Sequence, residues 1–365
     1  MATQTSYISE QSKHNTEIGE EKMESSKVGR NIPQIPVVDA HYDLGMFLQQ
    51  ERQKGKRKII ETELMPELRR GGVQVLVSAI YVDENSVSGS ALRQACNQIA
   101  ALQAEMKESP DLFSVCTSAM EIEKARKEGK PAIIMSFEGI EPLGRNVELL
   151  DFFYESGVRG IGLAHARRNL ACDGAMYTSS PHNIGAGLTD FGVELVEKAQ
   201  ELHMLIDVSH LNDAGTKDVL DIVKGPVIAS HSNCRALNPT LRNIDDTLLR
   251  RIADSGGVIG LNGCSVLVSD REGNASMEML IEHLNHLVNV AGIEHVGLGF
   301  DIAQMILPDA YITVNGIKQK VVDIVASHGD IPEFTEELLK HGYTEEMLRK
   351  IYAENFLRVY RDVLV

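Results

Sequence analysis

The chain has 365 residues, 43% of them hydrophobic and 24% charged, a formal charge of −16 and no tryptophan. These values suit a folded globular enzyme, and the acidic balance argues against a nucleic-acid partner, which needs clustered Lys and Arg to bind phosphate. Five scattered cysteines (Cys96, Cys116, Cys172, Cys234 and Cys264) with no CxxC spacing give neither a disulfide framework nor a thiolate zinc site, and they fit a reducing, cytoplasmic compartment. Residues 1–32, rich in Ser, Glu, Lys and Gln, read as a flexible extension ahead of one domain over 33–365. The extension has no apolar core, so it is not a secretory signal. No apolar run is long enough to span a bilayer, and no hydrophobic tail directs a lipid anchor. The short basic run Arg52–Lys58 reads as a solvated helix end or loop.

From residue 35 onward, short β-branched runs alternate with longer amphipathic stretches. Strands are expected over 35–43, 73–82, 132–137, 157–165, 205–209, 227–230, 257–261 and 296–301. Helical patterns fill the gaps at 90–107, 147–156, 188–202, 247–254 and 277–291, and a last one covers 344–362. Runs such as Ala132-Ile133-Ile134-Met135 are nearly all apolar, as strands covered on both faces are. Eight βα units predict an α/β protein, a (β/α)8 TIM barrel with extra C-terminal helices.

Catalytic side chains of such barrels gather where the strands end. Strand one ends in Asp39-Ala40-His41-Tyr42-Asp43, where His41 and Asp43 share a face by strand alternation. Strand three runs into Glu138, whose carboxylate needs a partner if buried. Strands five and six each end in Ser-His, at His210 and His231, while strand four adds His165 and strand eight Asp301. Any one of these is an ordinary residue; six strands out of eight ending this way is the signal. His41, Asp43 and Glu138 can hold one cation, and Glu138, His210 and His231 a second. Two divalent ions sharing a carboxylate make a hydrolytic centre. Imidazole and carboxylate donors without thiolate suit Zn²⁺, with Mn²⁺, Co²⁺ and Fe²⁺ open.

These segments resemble the renal or membrane dipeptidase family of the amidohydrolase superfamily. The likeness is carried in order by Asp39–Asp43, Glu63–Val73, Ser136–Gly139, Leu205–Leu211, Ala229–Asn233 with Leu241–Asp246, His295–Gly299 and Glu354–Val359. The resemblance implies a zinc-dependent dipeptidase working through a metal-bridging hydroxide. It makes His41, Asp43, Glu138, His210 and His231 the ligands, and Asp301 the proton carrier. It makes His165 a contact of the tetrahedral oxygen, and Arg242 the partner of the substrate's terminal carboxylate. It also implies a small dipeptide substrate and a homodimer. Two departures stand out. The family's Gly-x-Asp-Phe-Asp-Gly is here Gly299-Phe300-Asp301-Ile302-Ala303-Gln304, and Asn262–Val266 lacks an expected tyrosine. They leave open another small amide as substrate: a lactam, an N-acyl amino acid or a D-residue dipeptide. A non-catalytic peptide-binding barrel is the third reading, and retention of Asp301 and every ligand speaks against it. His182, in the loop 179–187, reads as an ordinary surface or loop residue, although a loop of that length could cover the site.

Overall fold

The computed structural model describes residues 33–83, 89–175, 177, 185–271, 273–314 and 316–365. The expectations for residues 1–32 and for His182 fall outside these described residues.

The strands are β1 (Val37–Tyr42), β2 (Val73–Tyr81), β3 (Ser114–Val115), β4 (Ala132–Glu138), β5 (Val158–Gly162), β6 (Leu205–Asp207), β7 (Ile259–Leu261), β8 (Val296–Leu298), β9 (Tyr311–Val314) and β10 (Ile317–Lys320). The main sheet is parallel and runs β6-β5-β4-β2-β1-β8-β7. Its two ends meet through the expected sixth strand, here reduced to bridges Asp207↔Ile228 and Ala229↔Ile259. Backbone bonds stitch that seam: Val208 N–H to Ile228 O at 2.8 Å and Gly260 N–H to Ala229 O at 2.8 Å. The ring is therefore closed, and all eight expected strand positions take part in it.

Local chemistry explains the boundaries. All six residues of β1 are buried, Asp39 and His41 included, as in a sheet covered on both faces. Several helices begin where short polar side chains cap them. Thr189 Oγ1 accepts from Gly192 N–H at 3.1 Å, and Asn212 Oδ1 from Gly215 N–H at 2.7 Å. The 344–362 pattern is one helical region interrupted by a wide turn over Lys350–Glu354, followed by Asn355–Val363. Asn355 donates to the carbonyls of Ile293 and Val296, both at 2.7 Å, tying that helix to β8. Phe356, Leu357 and Tyr360 then pack with Val38, Val75, Ile134 and Leu205.

Several elements carried no clear pattern: the two-residue β3, the hairpin β9–β10, and the helices Leu44–Gln53, Ala119–Lys127, Asp213–Ile222 and Ile331–Lys340. The basic run is the expected helix end and turn, exposed over 53–58, and its charges are paired. Arg52 pairs with Glu105 and with Glu108 at 2.7 Å, and Lys56 reaches Glu51 at 2.7 Å and Glu63 at 2.9 Å. Among the described residues no helix is long and apolar enough to cross a membrane.

Candidate metal centre

The strand ends converge. His41 lies on β1, Asp43 follows it at the head of the helix Leu44–Gln53, and Glu138 is the last residue of β4. His210 follows β6 and His231 follows the 228–229 bridges. Glu138 Oε1 is the shared point. It lies 2.9 Å from His210 Nε2, 3.6 Å from His231 Nε2 and 3.7 Å from His41 Nε2. His231 Nε2 and His210 Nε2 are 2.9 Å apart, and the His41 and His231 rings stand 3.7 Å apart. Asp301 Oδ1 is 3.7 Å from His41 Nε2, and the His165 ring is 4.3 Å from that of His210. The donors sort into three overlapping groups with all atoms within 4.8 Å: His41–Glu138–His231, Glu138–His165–His210 and His41–Asp43–Asp301. Asp301 and His165 thus stand at ligand distance alongside the five expected ligands.

Burial sets the electrostatics. It lowers the imidazoles, His41 and His165 to about 3 and His210 and His231 well below their usual range, with the Arg242 charge adding to the effect on His41. Burial also raises the carboxyls, Asp43 to about 6 and Glu138 and Asp301 well above theirs, with Asp43 pushing on Glu138 and Asp301, and Asp301 on Glu138. Neutral imidazoles offer lone pairs, and crowded carboxylates need a cation between them. His41 Nε2 and Asp43 Oδ1 are buried with no hydrogen-bond partner. Orphaned donor atoms, all nitrogen and oxygen, are what a divalent ion would satisfy.

A second layer of carboxylates holds this cluster in place. Asp39 accepts from His41 N–H at 3.3 Å and Phe300 N–H at 3.1 Å through Oδ1, and its Oδ2 meets His328 Nε2 at 2.8 Å. One buried side chain therefore fixes the backbone beside both His41 and Asp301. Asp207 accepts the N–H groups of Ser209 and Ser230, each at 2.9 Å, and the Ser230 hydroxyl. That hydroxyl lies 2.6 Å from His231 Nδ1. With its own proton given to Asp207, Ser230 Oγ accepts Nδ1–H, which turns the lone pair of Nε2 towards Glu138. His210 and Asp301 both have left-handed backbones, at φ 68° and 57°. Such strain persists only where the surroundings over-determine it. Gly139, at φ 94°, turns the chain directly after Glu138, and a side chain there would run into the Glu141 carboxylate.

A cavity of about 320 Å³ opens over the cluster. Asp43, Glu138, His165, His210 and Asp301 line one side. Met46, Tyr81, Tyr177, Cys264, Ala303, Leu307, Ala310, Tyr311, Ile312 and Val321 line the rest. Arg242 is not among the lining residues. It is 2% exposed, with Nη1 donating to Ser232 Oγ at 3.0 Å, Nη2 donating to the His231 carbonyl at 2.8 Å, and Nε unpartnered. The hairpin wall and Tyr177 went unnoticed in the sequence because no periodic pattern marks them. Tyr177 brings a phenol to a pocket whose 262–266 segment lacks one.

The comparisons agree with this architecture. The model of the membrane dipeptidase family, peptidase family M19, matches residues 27–364. An uncharacterised protein of the pqqA 5′ region of Klebsiella pneumoniae is 34% identical over 67% of this chain and 92% of its own length. The crystal structure of dipeptidase AC, a metallopeptidase, superposes with a TM-score of 0.80 at 27% identity, covering 91% of this chain and 99% of that one. A Rhodobacter sphaeroides metallopeptidase, liganded with a phosphinate mimic of L-Ala-D-Ala, gives 0.78 at 26% identity over 90% and 99%. The chain belongs to the membrane dipeptidase family and is an enzyme of the metallo-dipeptidase type.

Proposed function

We propose that the chain hydrolyses the peptide bond of dipeptides at a pair of divalent ions, with Zn²⁺ the expected metal. His41, Asp43 and Glu138 would hold one ion, and Glu138, His210 and His231 the other. The supporting observation is the meeting of three imidazole nitrogens on Glu138 Oε1 within 3.7 Å. When bound, the ions acidify water and polarise the scissile carbonyl. His165, kept neutral by burial, offers an N–H to the carbonyl oxygen as that atom gains charge. Asp301 takes the proton of the attacking water and hands it to the leaving nitrogen. Arg242, assigned by the resemblance to the substrate's terminal carboxylate, would have to turn from Ser232 and His231 to reach it, its buried Nε being the one guanidinium nitrogen without a partner. Five free cysteines support a reducing, cytoplasmic setting.

The test is elemental analysis of the purified protein, followed by chelation and metal add-back with a mixed dipeptide assay. Hydrolysis that is lost on chelation and restored by Zn²⁺ supports the reading; hydrolysis indifferent to chelator overturns it. Asp301→Asn should keep metal and lose turnover, and wild-type rates in that variant would remove Asp301 from its role.

A further inference from the structure

We infer that the substrates are dipeptides carrying an uncharged, aliphatic or aromatic side chain, selected by a wall built from residues 303–312 and Val321. This rests on the proposed dipeptidase reading and narrows it. The cavity has two unlike halves. Its charged groups all belong to the metal cluster side, and no Lys or Arg is among its described lining residues. The other half is aliphatic and aromatic: Leu307, Ala310, Tyr311 and Ile312 with Val321 and Cys264.

This wall is a built feature. The Asp323 carboxylate accepts the N–H groups of Ala303 at 3.0 Å and Gln304 at 2.7 Å, anchoring the start of the segment. The return strand is fixed by Ser265 N–H to Val322 O at 2.8 Å and by Val321 N–H to Ala310 O at 2.9 Å. Cys264, Val266, Leu267, Val314 and Val321 form a separate small core beneath it. Leu307 and Tyr311 are 44% and 50% exposed, yet both also face the cavity. Large apolar side chains left open to water at the mouth of a site gain by covering one another with a ligand. A charged substrate side chain placed there would lose hydration against apolar groups; the Lys318 ammonium, over the Tyr311 ring at 4.7 Å, is not among the lining residues. The volume, about 320 Å³, sits at the small end of ligand pockets and suits two residues.

The experiment uses metal-loaded enzyme and steady-state kinetics on Ala-Ala, Ala-Leu, Leu-Ala, Ala-Glu, Glu-Ala, Ala-Lys and Lys-Ala. For at least one position of the dipeptide, kcat/KM for Leu should exceed that for Glu and Lys by about tenfold or more, mostly through KM. Leu307→Lys, which has an exposed side chain and should fold at an unchanged melting temperature, should cut the Leu-to-Glu ratio at that position by about fivefold or more. Equal rates across the panel, a preference for charged residues, or an unmoved ratio in Leu307→Lys would overturn the inference alone. Failure of metal-loaded enzyme to cleave any dipeptide, Ala-Ala included, would overturn the proposed function and this inference with it.

Discussion

Asn262 Nδ2 donates to Asp301 Oδ2 across 3.1 Å, while Asp301 Oδ1 looks towards His41 Nε2 at 3.7 Å. Asn262 is itself fixed. Its Oδ1 accepts Cys264 N–H at 2.7 Å, its N–H donates to Asn233 Oδ1 at 3.1 Å, and its carbonyl accepts Asn233 Nδ2 at 3.0 Å. A carboxylate on a left-handed backbone thus has one oxygen held by a neutral amide and the other free for the centre. Asn262→Ala releases the held oxygen. The expected result is a kcat lower by about 10- to 100-fold with KM and metal content near wild type, in line with the loss from a misplaced reacting group. An unchanged kcat would show that Asp301 does not depend on this bond.

Ser230 links a buried carboxylate to a buried imidazole, and outer-layer links of this kind tune ligand orientation. Ser230→Ala removes the acceptor of His231 Nδ1–H and frees the ring to change tautomer. We expect metal affinity to fall by about 10- to 100-fold, read by titration against a competing chelator. Circular dichroism should be unchanged, because the strand bridges do not use the hydroxyl. Affinity equal to wild type would make the hydroxyl a spectator.

The barrel and its mouth were legible in the sequence because both rest on short-range rules. Apolar runs such as Ala132–Met135 identify strands, and a His or carboxylate directly after a run lies at the strand end. That logic reached His41, Glu138, His210 and His231 without any tertiary information. It was less complete where structure depends on distant partners. The 227–230 segment holds its place through two bridges and little strand of its own. The basic run Arg52–Lys58 is solvated over 53–58 as read, but Arg52 at its head is drawn in by Glu105 and Glu108, some fifty residues on. The hairpin β9–β10 is too short and irregular in burial to register, yet Tyr311 and Ile312 of β9 and Val321 after β10 line the cavity. Arg242 was found by resemblance, and its commitment to His231 and Ser232 could be seen only in three dimensions.

Metal should also hold the fold. The cluster packs Asp43, Glu138 and Asp301 against one another with burial raising all three. A ligand that binds the folded state alone stabilises it by about 2.7 kcal/mol at a hundredfold excess over Kd. Chelation should therefore lower the melting temperature, and Zn²⁺ add-back should restore it in proportion to the logarithm of free metal. A melting temperature indifferent to both would mean that no ion is bound with useful affinity.

Arg52 pairs with two carboxylates: Glu108, which Arg57 also approaches at 4.0 Å, and Glu105, which is almost fully buried and also accepts Ile60 N–H at 3.1 Å. Removing one partner of a buried pair leaves an uncompensated charge. Arg52→Ala should cost about 3 kcal/mol in urea unfolding. A loss below about 1 kcal/mol, the level of a surface pair, would show that water takes over from the guanidinium.

The same network gives a pH signature away from the metal. The Arg52 hydrogen bond holds the Glu108 carboxyl down at about 2, below its ordinary 4.5. A group whose acidity is increased by folding stabilises the native state while ionised in both states. Its contribution is therefore complete above pH 4.5 and is lost as the pH falls towards 2. Glu108→Gln removes that contribution at all pH values. The stability gap between wild type and variant should be widest above pH 4.5 and should close steadily between about 4.5 and 2, measured as urea midpoints across that range. A gap that stays constant down to pH 2 would mean that Glu108 binds its proton equally well folded and unfolded, and the bond to Arg52 would then contribute nothing through charge.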